Sequence, residues 1–181
     1  MNKKHLAVYA GVAVLFAAAG AYTGMKKQDA APITATAPAG VTGPVQALLA
    51  QTMPDAAGKA TPLAQFQGKA MLVNFWATWC APCVQEMPEL SELSSGEAGK
   101  KLQVIGIGID SPTNIAEFSA KYKITYPVLV AGMSGTDLSR QFGNVNGGLP
   151  FTVLIGADGQ VKKTYLGKLK FDELHKDLAT L

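Results

Sequence analysis

The chain reads as an α/β protein with a central mixed sheet and helices on both faces, and three observations predict it. Apolar runs of strand length alternate with helical stretches from Ala70 to Phe142, the order of βαβ units. Two further strand-like runs flank Ala157-Asp158-Gly159-Gln160, where Asp-Gly is a strong short-range hairpin signal, so antiparallel pairing follows. The third is Trp79-Cys80-Ala81-Pro82-Cys83, which stands where an apolar strand gives way to a helix.

Three segments precede or form the globular part. In residues 1–27, Leu6 to Met25 are uncharged and follow Lys3-Lys4; as a helix they span about 30 Å, the thickness of a bilayer core. This is read as a membrane anchor with its N-terminus in the cytoplasm. A signal peptide cut near Ala21 is the alternative, because Leu6 to Ala19 has the length of an h-region and Ala19-Gly20-Ala21 resembles a cleavage site. Lys26 and Lys27 weaken the positive-inside asymmetry, yet either outcome exports the rest. Residues 28–44 are Ala, Thr, Pro and Gly with a single charge, an extended tether reaching on the order of 50 Å.

Residues 45–181 carry the fold. Ala47 to Thr52 is expected as a weak strand, Asp55 to Lys59 as a turn, and Pro62 to Phe66 as a helical turn closed by Gly68. Ala70 to Phe75 is a strand, and a helix runs from about Pro82 to Leu93, kinked at Pro88. Leu102 to Ile109 is continuously apolar, hence a strand buried on both faces; its Gly106 and Gly108 precede no helix and form no phosphate loop. Asn114 to Lys123 is helical, with Ile115, Phe118 and Tyr122 as a core stripe. Val128 to Val130 is a short strand and Asp137 to Phe142 a helix. Thr152 to Ile155 and Val161 to Leu166 form the hairpin, and Phe171 to Leu178 closes the fold.

Composition excludes several classes of function. The net charge of +3 arises from Lys3, Lys4, Lys26 and Lys27; from Asp29 onward twelve basic residues face thirteen acidic ones, so no nucleic-acid partner is expected. The two cysteines close too small a loop to staple a fold. A structural zinc site needs four ligands, and only His5 and His175 remain as soft candidates, so no metal is expected. The lysine pairs Lys100-Lys101 and Lys162-Lys163 are read as solvated.

A pair three apart at a strand-to-helix junction is suited to react. The first sulfur sits over the helix N-terminus, where unpaired N–H groups and the dipole favour a thiolate, and the second lies within reach of any mixed disulfide. Two inert buried thiols are the alternative. Glu86 follows Cys83 by one helical turn; a carboxylate there would oppose thiolate formation and accept or relay a proton, unless it is merely solvated, as Glu89 and Glu92 are read. Trp76 is assigned to the core and Trp79 to the rim beside Cys80.

The run from Asn74 to Leu90 resembles the active-site segment of membrane-tethered, thioredoxin-like proteins of the TlpA/ResA type. Gly148-Leu149-Pro150-Phe151-Thr152 resembles that family's cis-proline loop, and the likeness covers roughly residues 45–181. The resemblance implies a thioredoxin-like fold with an αβ unit inserted between the CxxC helix and the cis-proline loop. It implies Cys80 as nucleophile and Cys83 as resolving thiol around the Ala81-Pro82 turn, an active-site glutamate at Glu86, and substrate contacts at Trp79, Leu149 and Pro150. It departs from ordinary thioredoxins at Asn74, where those carry a buried aspartate, and Phe151 stands where the family often has threonine.

What the resemblance implies about function is an extracytoplasmic reductase of protein disulfides. It needs no cofactor besides the redox-active Cys80–Cys83 disulfide. A membrane electron donor of the DsbD/CcdA type would feed it, and apocytochrome c or copper-assembly proteins would be its substrates. A disulfide oxidase or isomerase, or a copper-handling chaperone without turnover, are the alternatives. The cysteine spacing does not choose a direction, since potentials on one scaffold run from about −270 to about −120 mV.

Overall fold

The computed structural model describes residues 43–181; the expected membrane segment and nearly all of the tether lie outside them. Helix α1 (Pro44–Leu49) is followed by a small antiparallel hairpin, β1 (Thr52–Pro54) and β2 (Ala60–Pro62), and a 3-10 turn at Leu63–Phe66. Then come β3 (Ala70–Trp76), α2 (Ala81–Ser95), β4 (Leu102–Gly108), α3 (Pro112–Tyr122), β5 (Val128–Val130) and α4 (Ser134–Gln141). The hairpin β6 (Phe151–Ile155) and β7 (Val161–Leu166) and helix α5 (Phe171–Leu178) complete the fold.

The main sheet has the order β5-β4-β3-β6-β7, parallel on the β3, β4, β5 side and antiparallel from β3 through β6 to β7. Alternation along β3 builds both cores at once. Met71, Val73 and Phe75 face α1 and α4, joining Val45, Leu48 and Leu138, while Leu72 and Trp76 face α2, α3 and α5, joining Leu90, Ile115 and Leu174. The mixed α/β architecture expected from the sequence is thus the one observed. The turns close where glycine was expected: Gly68 and Gly159 both adopt positive φ.

Several expectations are corrected. Ala47 to Thr52 is not a strand: Pro44 takes the first helical turn, which needs no N–H from it, and Val45, Leu48 and Leu49 recur at helical spacing onto the core. The tether's expected last residue, Pro44, therefore already belongs to the domain. Strand β2 was not expected at all. Tyr122, placed in the core stripe, is 47% exposed and stacks on half-buried Phe118, with ring centroids 4.2 Å apart, so only Ile115 of that stripe is fully inside. Helices α3 and α4 begin earlier than read, at Pro112 behind a Ser111 cap and at Ser134.

Gly106 in β4 lets two rings approach the backbone. A methyl group there would lie 3.1 Å from both Trp76 Nε1 and Tyr126 Cε2, and both rings are buried. Gly106→Ala is expected to destabilise the domain by about 1 to 3 kcal/mol through overpacking, read as a lower urea midpoint with an unchanged slope.

Candidate active site

The cysteine pair is placed by β3 and α2 together. The strand ends at Trp76, a turn closes with Cys80 N–H donating to the Ala77 carbonyl at 3.2 Å, and α2 begins at Ala81. Cys80 occupies the N-cap position in extended backbone geometry, and its sulfur accepts from Cys83 N–H at 3.3 Å. Pro82 suits the first turn because its missing N–H would have had no partner there. No acidic residue lies in that turn to oppose a charge on Cys80. Cys80 and Cys83 are joined as a disulfide, with Cys80 5% exposed and Cys83 fully buried, so an incoming group meets Cys80 first.

Glu86 is not the solvated glutamate that its helix position allowed. It is fully buried, and both carboxylate oxygens are held: Oε1 accepts from Asn74 Nδ2 at 2.7 Å, and Oε2 accepts from the Leu169 backbone N–H at 2.9 Å. Burial pushes its pKa up to about 7. The Leu169 and Asn74 hydrogen bonds and the Lys168 charge pull it back, and the Glu89 charge adds a small rise. A carboxyl that is half ionised near neutrality, one turn behind Cys83, is suited to exchange a proton there.

Asn74 does more than leave a proton acceptor out. The same Nδ2 also reaches Thr152 Oγ1 at 2.9 Å, because β3 and β6 pair with Asn74 opposite Thr152. Asn74 Oδ1 has no hydrogen-bond partner among the described residues. Asn74, Thr152 and Leu169 therefore frame the carboxyl, and Thr152 and Leu169 were missed in the sequence. One signal was available: Asn74 is the single polar side chain in the otherwise apolar strand β3, and a buried amide demands partners.

The Leu149–Pro150 bond is cis, at the entry to β6 and so at the same end of the sheet as Cys80. Leu149 packs against the cluster that contains both cysteines. The loop is held from behind by Asn144, whose Nδ2 donates to the Gly148 carbonyl at 2.9 Å and to Ser139 Oγ at 3.1 Å, while its Oδ1 accepts from Gly148 N–H at 3.0 Å. No pattern in the sequence marks Asn144 for this role. Trp79, next to Cys80, is 70% exposed, and Leu166, paired with Phe151 at this end of the sheet, is also exposed. Trp76 is fully buried, as expected, and Phe151 lies in the opposite core.

Residues 26–178 match the Redoxin family model. The chain is 33% identical over 126 residues to the thiol-disulfide oxidoreductase ResA of Bacillus thuringiensis subsp. konkukian, a match covering 68% of this chain and 70% of that one. It is 29% identical over 130 residues to ResA of Geobacillus thermodenitrificans, covering 70% and 71%. A secreted Mycobacterium tuberculosis disulfide oxidoreductase homologous to E. coli DsbE superposes with a TM-score of 0.61 at 25% identity, over 74% of this chain and 97% of that structure. The family match, the two relatives and the Cys80–Cys83 pair agree, and the chain belongs to the redoxin family as a TlpA/ResA-type thiol-disulfide oxidoreductase on the thioredoxin-like fold.

Proposed function

We propose that the protein runs as a reductase of protein disulfides outside the cytoplasm. The observation that carries this reading is the buried Glu86 carboxyl one turn behind Cys83. A scaffold that stabilises its reduced, thiolate form becomes an oxidant; a carboxylate enclosed near the pair opposes thiolate charge and favours giving electrons away.

Cys80 thiolate attacks one sulfur of a substrate disulfide. That S–S bond breaks, a Cys80–substrate disulfide forms, and the first substrate sulfur leaves as a thiolate that takes up a proton. Cys83 then gives its proton to ionised Glu86 and attacks Cys80 Sγ, expelling the second substrate thiolate. Two electrons have passed to the substrate, and the protein is left with the Cys80–Cys83 disulfide and no other cofactor. Ala81 and Pro82 keep the two sulfurs one turn apart, while Trp79, Leu149 and Pro150 receive the chain around the substrate cysteine.

An exported compartment is oxidising, so turnover requires a dithiol donor in the membrane, of the DsbD/CcdA type. The apolar segment from Leu6 to Met25 supports placement at the membrane, and the secreted M. tuberculosis neighbour supports export. Apocytochrome c and copper-assembly proteins, which must present reduced cysteines, are the substrates that the likeness suggests.

The full chain carrying Cys83→Ala tests this reading. It is expected to accumulate a mixed disulfide through Cys80 with exported proteins, seen as a DTT-sensitive shift on non-reducing gels. No trapped partner, or a measured potential near that of DsbA, would overturn the reductase assignment.

A further inference from the structure

We infer that Asp110 is a positioning residue for the reaction, acting through Thr78 to hold the turn that presents Cys80. Asp110 lies two residues past β4, at the carboxyl end of the strand beside β3, where open α/β sheets gather their functional loops. One of its carboxylate oxygens accepts from Thr78 Oγ1, in the middle of the turn between Trp76 and Cys80, and the Thr78 backbone N–H also interacts with the carboxylate. The other accepts from Ser111 N–H at 2.7 Å and from Asn114 Nδ2 at 2.8 Å, both at the start of α3. Partial burial pushes the Asp110 pKa up, but the bonds from Thr78, Asn114 and Ser111 outweigh it and hold the carboxyl below its ordinary range, so the clamp is charged throughout the neutral region.

Without the clamp, the cysteine turn is fastened mainly at its ends. Ile109 N–H donates to the Trp76 carbonyl at 2.8 Å, and Cys80 N–H to the Ala77 carbonyl at 3.2 Å. Between those points Thr78 is the residue whose side chain ties the turn to another loop, and Trp79, next in sequence, is largely exposed. Thr78 therefore determines where the turn enters α2 and how the Cys80 sulfur stands over the helix N-terminus. A small displacement of a reacting atom costs rate out of proportion to its cost in stability.

The inference rests on Cys80 being the attacking thiol, and the test separates the two. In the full chain, reduced and carrying Cys83→Ala, the rate of Cys80 alkylation by iodoacetamide is followed from pH 5 to 9, alongside insulin reduction in the Cys83-containing protein. If no pH-dependent alkylation is found before any further change, the Cys80 assignment fails first. With Cys83 replaced, the groups that titrate around Cys80 are Glu86 on α2 and Asp110 itself, with the Lys168 charge near Glu86.

Thr78→Val leaves every charge in place. It is expected to lower insulin reduction about tenfold at unchanged folded fraction and to move the alkylation midpoint upward, as the sulfur loses its place over the helix. Thr78→Ser, which keeps the hydroxyl, is expected to stay within about twofold of the parent. Asp110→Asn combined with Thr78→Val is expected to lose less than the product of the two single losses, since both reach the turn through Thr78. Wild-type rates in Thr78→Val, equal loss in Thr78→Ser, or multiplying losses in the double variant would each overturn the inference. The threonine variants keep the test decisive even if Asp110→Asn fails to fold.

Discussion

Cys80→Ser in the full chain is expected to lower disulfide reduction by roughly 10³-fold or more, with little change in folding. A hydroxyl has no accessible anion near neutrality, so the helix N-terminus that favours a thiolate has nothing to stabilise. The position is 5% exposed and the two side chains are nearly isosteric, so the oxidised parent should lose no more than the small contribution of a short-loop disulfide. Insulin turbidity and a urea melt, run side by side, check both halves. A serine variant that still turned over would remove Cys80 from the reaction altogether.

Glu86→Gln should change how stability depends on pH. The folded-state pKa of about 7 stands above the ordinary 4.5, so the folded protein binds a proton that the unfolded chain has already released. Stability from this group is fully present below about pH 4.5 and is lost as pH rises through 7, a fall of about 3 kcal/mol that levels off above pH 8. Asp158 and Asp177, held low by hydrogen bonds from Lys162 and Lys163, titrate beneath this window, where their slope has the opposite sign. Urea unfolding of the oxidised protein between pH 5 and 8 is expected to show the fall in the parent and a nearly flat line in Glu86→Gln. Parallel lines would mean that the carboxyl is not neutral when buried. In the reduced protein the same substitution should erase a near-neutral inflection from the alkylation profile of Cys83.

The parts of this molecule that could be read from its sequence are those written locally. Strands β3 and β4 declare themselves by continuous apolar runs, the last hairpin by Asp158-Gly159, and the reactive pair by its spacing at a strand end. Helix α1 was misread because six residues are too few for a period to separate helix from strand. Tyr122 was misplaced because one stripe position at a helix end can face outward. The surroundings of the pair were illegible for a different reason. Glu86 meets Asn74 across 12 residues and Leu169 across 83, Asn74 meets Thr152 across 78, and Thr78 meets Asp110 across 32. Periodicity says which face a residue occupies; it cannot say which distant backbone N–H will arrive opposite it.

That difference in reach also sets an order of assembly. The sulfurs meet across two intervening residues and are neighbours as soon as α2 has wound, whereas the carboxyl behind them is completed by a contact closed over 83 residues of chain. Long loops close later than short ones. A chain folding from its N-terminal side is therefore expected to hold the cysteine pair before Leu169 closes over the Glu86 carboxyl. In that order the two sulfurs stand at a helix end first, and the Glu86 carboxyl gains its backbone partner only when the segment carrying Leu169 docks.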